Sequence, residues 1–495
     1  MCDSAYKVLL HQTKRGGKMS DKKLQFYING AFEDGTDFDE VLDPSTNKVL
    51  SLVPRATQAQ VDRAIAAAKA AQDEWEALPA IERAGYLKKI ANKIREKAHV
   101  FIELIKTEGG KVQGLAETEV YFTADYLDYM AEWARRYEGE IIQSDRPNEN
   151  IFLFKRAIGV TTGILPWNFP FFLIARKMAP ALVTGNTIVV KPSTLTPENA
   201  YEFAKLVDEV GLPKGVFNLV TGGGATVGNR LASHPDVGMV SITGSVSAGQ
   251  KVMEAAAENI TKVSLELGGK APAIVMPDAD LDLAAKAIVD SRVINTGQVC
   301  NCAERVYVHA DIQEVFIQKL VNLMSAVKYG NTSEISDLHM GPLIDAKSVD
   351  SVEAKVKKAQ EQGGRVVLGG KRVAGEGNFF EPTVIVDVTN EMAIIQEEVF
   401  GPVLPIVVFT SLEEVIGLAN DSEFGLTSSV YTSNLNTAFK VVRGLKFGET
   451  YINRENFEAM QGFHAGFRKS GIGGADGKHG LEEYLQTQVV YLETN

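Results

Sequence analysis

Apolar and polar residues repeat with two different periods along this chain. Phe26-Tyr27-Ile28 and Ala31-Phe32 flank Asn29-Gly30, a pair that favours a tight hairpin because both residues accept a positive φ. Asp43-Pro44-Ser45-Thr46 marks a second turn. At Thr57 the period becomes helical. Gln60 can close a capping box with Thr57, and Val61, Ile65, Ala68 and Trp75 share one face. Ile81 to His99 predicts another amphipathic helix with Lys and Arg outward. From Thr187 short apolar runs alternate with helical ones. The strands are Thr187–Lys191, Val216–Val220, Gly238–Thr243 and Lys262–Leu267, and the helices are Glu198–Val210, Ala225–Ser233 and Ser247–Glu258. Such units bury their strands only in a parallel sheet covered on both faces. A second series follows Gly268-Gly269-Lys270, with helix Leu281–Ile294, a cysteine loop and strand Arg305–His309. Glu140–Gln143 and Ile151–Phe154 predict a hairpin around Arg146-Pro147-Asn148, and Gln488–Leu492 reads as a strand. These peripheral strands leave edges that a partner subunit could cover.

Length and composition narrow this picture. At about 150 residues per domain, 495 residues suggest about three domains. The net charge of −12 argues against nucleic-acid binding as the main business. Three cysteines are too few for a disulfide framework, which fits a reducing compartment and a cytoplasmic protein. Phe169 to Val190 is the most apolar region, but Arg176 and Lys177 interrupt it, so no membrane partner is expected. Met19-Ser20-Asp21 reads as a natural start. Residues 1–18 are expected to be a non-native or disordered extension, with Cys2 having no role.

Candidate chemistry gathers around Asn295-Thr296-Gly297-Gln298-Val299-Cys300-Asn301-Cys302. A cysteine placed after a flexible turn suits a nucleophile, although free cysteine is also a common core residue. Gly222-Gly223-Gly224 and Gly244-Ser245 follow strands and open helices, where backbone N–H groups attract phosphate, but neither matches a dinucleotide fingerprint. Lys191 ends a strand at the same sheet edge and fits either a ligand contact or a snorkelling surface lysine. Glu266, between Leu265 and Leu267, fits a general base whose pKa desolvation raises, or the partner of a buried cation. Asn168, between Pro166-Trp167 and Phe169-Pro170, fits a rigid oxyanion donor or a turn residue. Taken together, a thiol nucleophile, an oxyanion donor, a water activator and a dinucleotide sheet compose the oxidation of an aldehyde through a covalent thioester. Cys300-Asn301-Cys302 has no second ligand pair at zinc-like spacing, so no metal is expected.

Pro166-Trp167-Asn168-Phe169-Pro170, Glu266-Leu267-Gly268-Gly269-Lys270, Gly297-Gln298-Val299-Cys300 and Glu397-Glu398-Val399-Phe400-Gly401-Pro402 occur in that order, and from about Gln25 onward the chain resembles the aldehyde dehydrogenase superfamily. Asn453-Arg454-Glu455-Asn456-Phe457-Glu458 and the residues to His464, with Cys300 to Arg305, are most similar to the bacterial lactaldehyde and glycolaldehyde dehydrogenases. The resemblance implies an α/β fold of two parallel-sheet domains plus a small β oligomerisation element. A dinucleotide-binding domain would span 24–138 and 157–265, a catalytic domain 266–478, and the oligomerisation element 139–156 and 479–495, giving a homotetramer or dimer. It implies Cys300 as nucleophile with Cys302 a bystander, Asn168 as oxyanion donor and Glu266 as water activator. Lys191 and Glu398 would meet the two riboses of NAD, Phe400 the nicotinamide ribose, Gly244 and Ser245 the pyrophosphate, with Trp167 nearby. Thr194 stands where NAD-preferring relatives often carry Glu; a threonine does not repel a 2′-phosphate, which opens the site to NADP. Arg176, Asn301, Glu458 and His464 would line a polar funnel for a small hydroxyaldehyde, lactaldehyde or glycolaldehyde. Another small aldehyde, such as a semialdehyde, is the alternative. A CoA-acylating enzyme would not need Glu266, and a cysteine hydrolase would need a histidine base, which none of the quoted motifs around Cys300 supplies.

Overall fold

The computed structural model describes residues 22–494, so the expectation for residues 1–18, Cys2 included, lies outside the described residues. Five strands run parallel in the first sheet, spatially ordered Lys262–Glu266, Met239–Thr243, Val160–Ile164, Thr187–Lys191, Phe217–Leu219. The chain lays down Val160–Ile164, adds two strands on one side, then returns to add two on the other. That reversal opens a crevice at the carboxyl ends of the central strands, where α/β sheets bind ligands. Ile164, Lys191, Thr243 and Glu266 all end there, with Ile164 in register with Lys191 and Thr243 with Glu266.

The central strand is one that the hydrophobic pattern does not announce, because Thr161, Thr162 and Gly163 dilute it. Both threonines are buried, and Thr161 donates its hydroxyl to Thr187 O at 2.8 Å, which removes the penalty of burying it. The hairpin Phe26–Ile28/Ala31–Glu33 closes one edge, with Asn29 and Gly30 at φ 51° and 73° as its turn requires. Gly471–Ile472 pairs antiparallel on the other edge.

Helix Gln58–Ala77 starts with the expected Thr57–Gln60 capping box and buries Val61, Ile65, Ala68 and Trp75. The run from Ile81 to His99 is not one helix but two, Ala80–Glu96 and Ala98–Gly109, broken at Lys97. The segment expected as helix from Ala225 begins instead as a π turn, Gly224–Gly228, followed by the α-helix Asn229–Ser233; Gly222 and Gly223 ahead of it and Gly224 within it leave the backbone free to take the wider turn.

The second sheet is ordered Arg365–Leu368, Thr383–Val386, Val403–Phe409, Ala303–His309, Ala271–Val275, Thr427–Tyr431, Glu449–Ile452, and only its first pair is antiparallel. A third sheet joins Leu485–Glu493, Glu149–Ala157 and Glu140–Gln143. Ile141 and Tyr491 on it are exposed. Among the described residues no helix is long and apolar enough to cross a membrane.

Candidate active site

The cysteine loop is built on left-handed backbone. Asn295, Thr296 and Gly297 have φ of 46°, 59° and 75° in succession. Asparagine tolerates this region, but a β-branched threonine does not adopt it unaided. Side chains impose it. Thr296 Oγ1 donates to Gly341 O at 2.9 Å, and Gln298 spans Asn295 O and Ile344 N at 2.9 Å each. A side chain at Gly297 would collide with the Gly401 carbonyl. The fully buried Arg292 donates to Gly297 O and, at 3.1 Å, to Ala303 O, bracing the loop at both ends.

Beneath the loop lies Glu304, buried in strand Ala303–His309. It pairs with Lys270 at 2.9 Å and Arg292 at 3.3 Å, and accepts from Val399 N and Phe400 N. Desolvation raises its pKa, but Lys270, Arg292 and these donors outweigh burial and hold it down to about 2. One carboxylate thus joins three of the sequence motifs.

Cys300 is half-buried at the end of this loop and opens into a cavity of about 520 Å³. Cys302 faces the other way, fully buried, its thiol donating to Val299 O at 2.9 Å. Burial pushes its pKa up to about 12, so it is inert as a nucleophile at neutral pH. Asn168 Nδ2 donates to Gln298 O at 3.0 Å, and Asn295 Nδ2 returns a bond to Asn168 O at 3.2 Å, which puts the asparagine amide against the cysteine loop. Asn168 precedes helix Pro170–Val183, whose first N–H groups are capped by the buried Glu119, itself paired with Lys111.

That helix carries Arg176 and Lys177, the two charges that interrupt the apolar run. Both meet Glu266: Lys177 Nζ at 2.9 Å and Arg176 Nη1 at 3.8 Å, while Thr243 donates to the other carboxylate oxygen at 2.9 Å. The expected rise in the Glu266 pKa is therefore reversed. Desolvation does raise it, but Lys177, Arg176 and His464 together lower it to about 2. Arg176 is also tied to Asp476 and Glu458, and Glu458 to Asn301. Arg176, Asn301, Glu458 and His464 all line the cavity with Cys300, Asn168 and Glu266. His464, expected in the polar funnel, is buried on the wall of the cavity that Cys300 also lines.

The cofactor candidates cluster on the crevice side. Lys191 is buried beside Gly228, and its ammonium has one acceptor among the described residues, Pro192 O at 2.9 Å. Burial without a counter-charge lowers its pKa to about 8. Gly244 and Ser245 lead into helix Val246–Ala257, with Ser245 as N-cap. Glu398 accepts from Gly269 N at 2.9 Å; burial and then Glu304 raise its pKa to about 7. Trp167 and Phe400 touch edge to face, centroids 5.6 Å apart, and Thr194 is half-buried in the bend after Lys191. A buried cation lacking an anion, beside two glycine-rich helix starts, suits a diphosphate with ribose hydroxyls. Among the described residues no cluster suits a metal.

The family model described as "Aldehyde dehydrogenase family" matches residues 32–490. The chain belongs to the aldehyde dehydrogenase family. Enzymes of this family oxidise aldehydes with NAD(P). A lactaldehyde dehydrogenase of Escherichia coli (strain K12) is 67% identical over 470 residues, covering 94% of this chain and 98% of that protein. A crystal structure of lactaldehyde dehydrogenase from Escherichia coli superposes with a TM-score of 0.95 at 66% identity, covering 96% of this chain and all of the other. A D-glyceraldehyde dehydrogenase (NADP(+)) of Picrophilus torridus is 38% identical over 95% of this chain and 96% of its own length.

Several groups of this aldehyde dehydrogenase site escape a motif search: Lys177, Asp476, Glu449 and Arg292. Only Lys177 leaves a trace, as a charge inside an apolar run. For Glu266 the linkage sign is definite. A carboxyl held below its unfolded value stabilises the fold above about pH 4.5 and loses that contribution as the pH falls toward about 2. In urea melts, the midpoint difference between wild type and Glu266→Gln should therefore be larger at pH 6 than at pH 3; a constant difference would contradict the ion pairing.

Proposed function

We propose that this chain oxidises a small hydroxyaldehyde, lactaldehyde or glycolaldehyde, to its acid with NAD(P). The observation that carries the reading is the shared cavity: the Cys300 thiol faces a space of about 520 Å³ that also holds Arg176, Asn301, Glu458 and His464. Four polar groups suit a substrate that brings its own hydroxyl. The relatives with lactaldehyde and D-glyceraldehyde in their names support the same class.

In this reading the Cys300 sulfur attacks the aldehyde carbon, and the Asn168 amide with the Cys300 backbone N–H holds the oxyanion. A bound nicotinamide supplies the two-electron acceptor. Glu266, ionised at neutral pH and lining the same cavity, takes a proton from the water that cleaves the resulting thioester. Lys191 and Glu398 would hold the riboses, Gly244 and Ser245 the diphosphate, and Trp167 and Phe400 the nicotinamide end. Residues 24–138 with 157–265 would form the cofactor domain and 266–478 the catalytic domain. The sheet from 139–156 and 479–495 would join subunits of a homotetramer or dimer, in the cytoplasm.

An aldehyde panel read at the absorbance of the reduced nicotinamide tests this. Cys300→Ser should lower kcat at least 1,000-fold and Cys302→Ser less than threefold. Turnover in Cys300→Ser would sink the assignment.

Thr194 supports use of NADP as well, since it brings no negative charge toward a 2′-phosphate. The kcat/KM ratio of NADP to NAD should fall at least tenfold in Thr194→Glu; an unchanged ratio would separate Thr194 from cofactor choice. Arg176→Ala should raise KM for lactaldehyde more than KM for propanal, and equal changes would remove Arg176 from hydroxyl recognition.

A further inference from the structure

The reading above gives Cys300 an oxyanion donor and a later water activator, but no acceptor for its own proton. Glu266, held by Lys177 and Thr243, is assigned to the later water step. The cavity offers another group. His464 is 2% exposed, and its Nδ1 lies 2.5 Å from Glu449 Oε1. Tyr451 donates its hydroxyl to the opposite oxygen of that carboxylate, so Glu449 is fixed from two sides. His464 is also pinned through its backbone, which exchanges two hydrogen bonds of 2.9 Å with Ala475. With Nδ1 engaged, Nε2 is the nitrogen left for the cavity, whose wall His464 shares with Cys300. Glu449 itself does not line the cavity. A buried carboxylate behind an imidazole, with a thiol in front, is the order in which a nucleophile, its base and an orienting acid are arranged.

We propose that His464, oriented by Glu449, accepts the Cys300 thiol proton, so that the thiolate forms before an aldehyde arrives. The inference rests on Cys300 being the nucleophile. The step balances: the S–H bond breaks, an N–H bond forms on the imidazole, and no electron is transferred. The imidazolium then faces the Glu449 carboxylate. Sulfur departs as thiolate when the thioester is hydrolysed, so His464 keeps its proton from one turnover to the next.

The charges around the ring agree with this. Glu449 and Tyr451 face it from strand Glu449–Ile452, Arg176 from helix Pro170–Val183, Glu266 from strand Lys262–Glu266, and Cys300 from its loop. Burial and Arg176 oppose a cation there, but Glu449 and the thiol outweigh them and set the imidazole pKa well above its ordinary value. Arg176 is itself countered by Asp476 and Glu458.

The rate of Cys300 alkylation by iodoacetamide, followed by peptide mass spectrometry from pH 5.5 to 10 on the full chain without cofactor, tests the proposal. At pH 7 His464→Asn and Glu449→Gln should each react at least tenfold more slowly than wild type, with the midpoint moved upward. Glu449→Gln separates proton acceptance from a mere positive neighbour. If His464 acted only as a fixed charge, deleting the carboxylate would speed alkylation. Profiles that coincide with wild type, or a faster Glu449→Gln, overturn the inference. Should both variants fail to fold by circular dichroism, thiolate absorbance at 240 nm in wild type, referenced to Cys300→Ser, decides. A midpoint below that of free cysteine is expected, and one at or above it overturns the proposal. Turnover by Cys300→Ser would instead remove the nucleophile reading, and the alkylation profiles would still stand or fall alone.

Discussion

The structure depends on a carboxylate that does no chemistry. Glu304 sits beneath the cysteine loop, where Lys270, Arg292 and the amides of Val399 and Phe400 converge on it. Lys270 brings the glycine turn that follows Glu266, Arg292 brings the loop of Cys300, and the amides bring the segment of Glu398 and Phe400. A buried carboxylate is tolerated only when charges and donors replace its water, so the three segments cannot part without exposing an uncompensated ion. Breaking such a pair by removing one partner costs roughly 3–5 kcal/mol, enough to offset the strain of holding Thr296, and to a lesser degree Asn295, left-handed. Strain at the nucleophile and the ion cluster under it are therefore two sides of one construction.

Around that anchor the charges divide by purpose. Glu266 is kept ionised by Lys177 and Arg176, whereas at Glu398 burial and Glu304 outweigh Lys270 and Lys355 and raise the pKa to about 7. Two glutamates on either side of Gly268 and Gly269 thus differ because one faces a helix bearing cations and the other faces Glu304. Arg176 in turn is shared among Glu266, Glu458 and Asp476, so the same guanidinium sets the charge of the candidate base and the polarity of the candidate substrate pocket.

Much of this was legible in the sequence, where a local signal existed. The Thr57–Gln60 box, the Asn29–Gly30 turn and the apolar strands ending at Lys191, Thr243 and Glu266 follow from short-range rules and appear in the fold. Val160–Ile164 did not, because its threonines are satisfied by partners remote in sequence. The charge state of Glu266 is not legible for a related reason. Its apolar neighbours along the chain predict desolvation, and desolvation is present, but the opposing cations come from another helix. Glu449 was hidden in the same way: no spacing rule connects it to Cys300 or to His464, which the resemblance alone places in the funnel, and only the return of the loop after strand Glu449–Ile452 brings ring and carboxylate together.

Lys191 carries a consequence for the protein's life outside catalysis. Among the described residues its buried ammonium has a single carbonyl for company, so the unliganded fold holds part of its potential stability in reserve. Any ligand that places acceptor oxygens there recovers that reserve, and the folded population then tracks the supply of ligand by mass action.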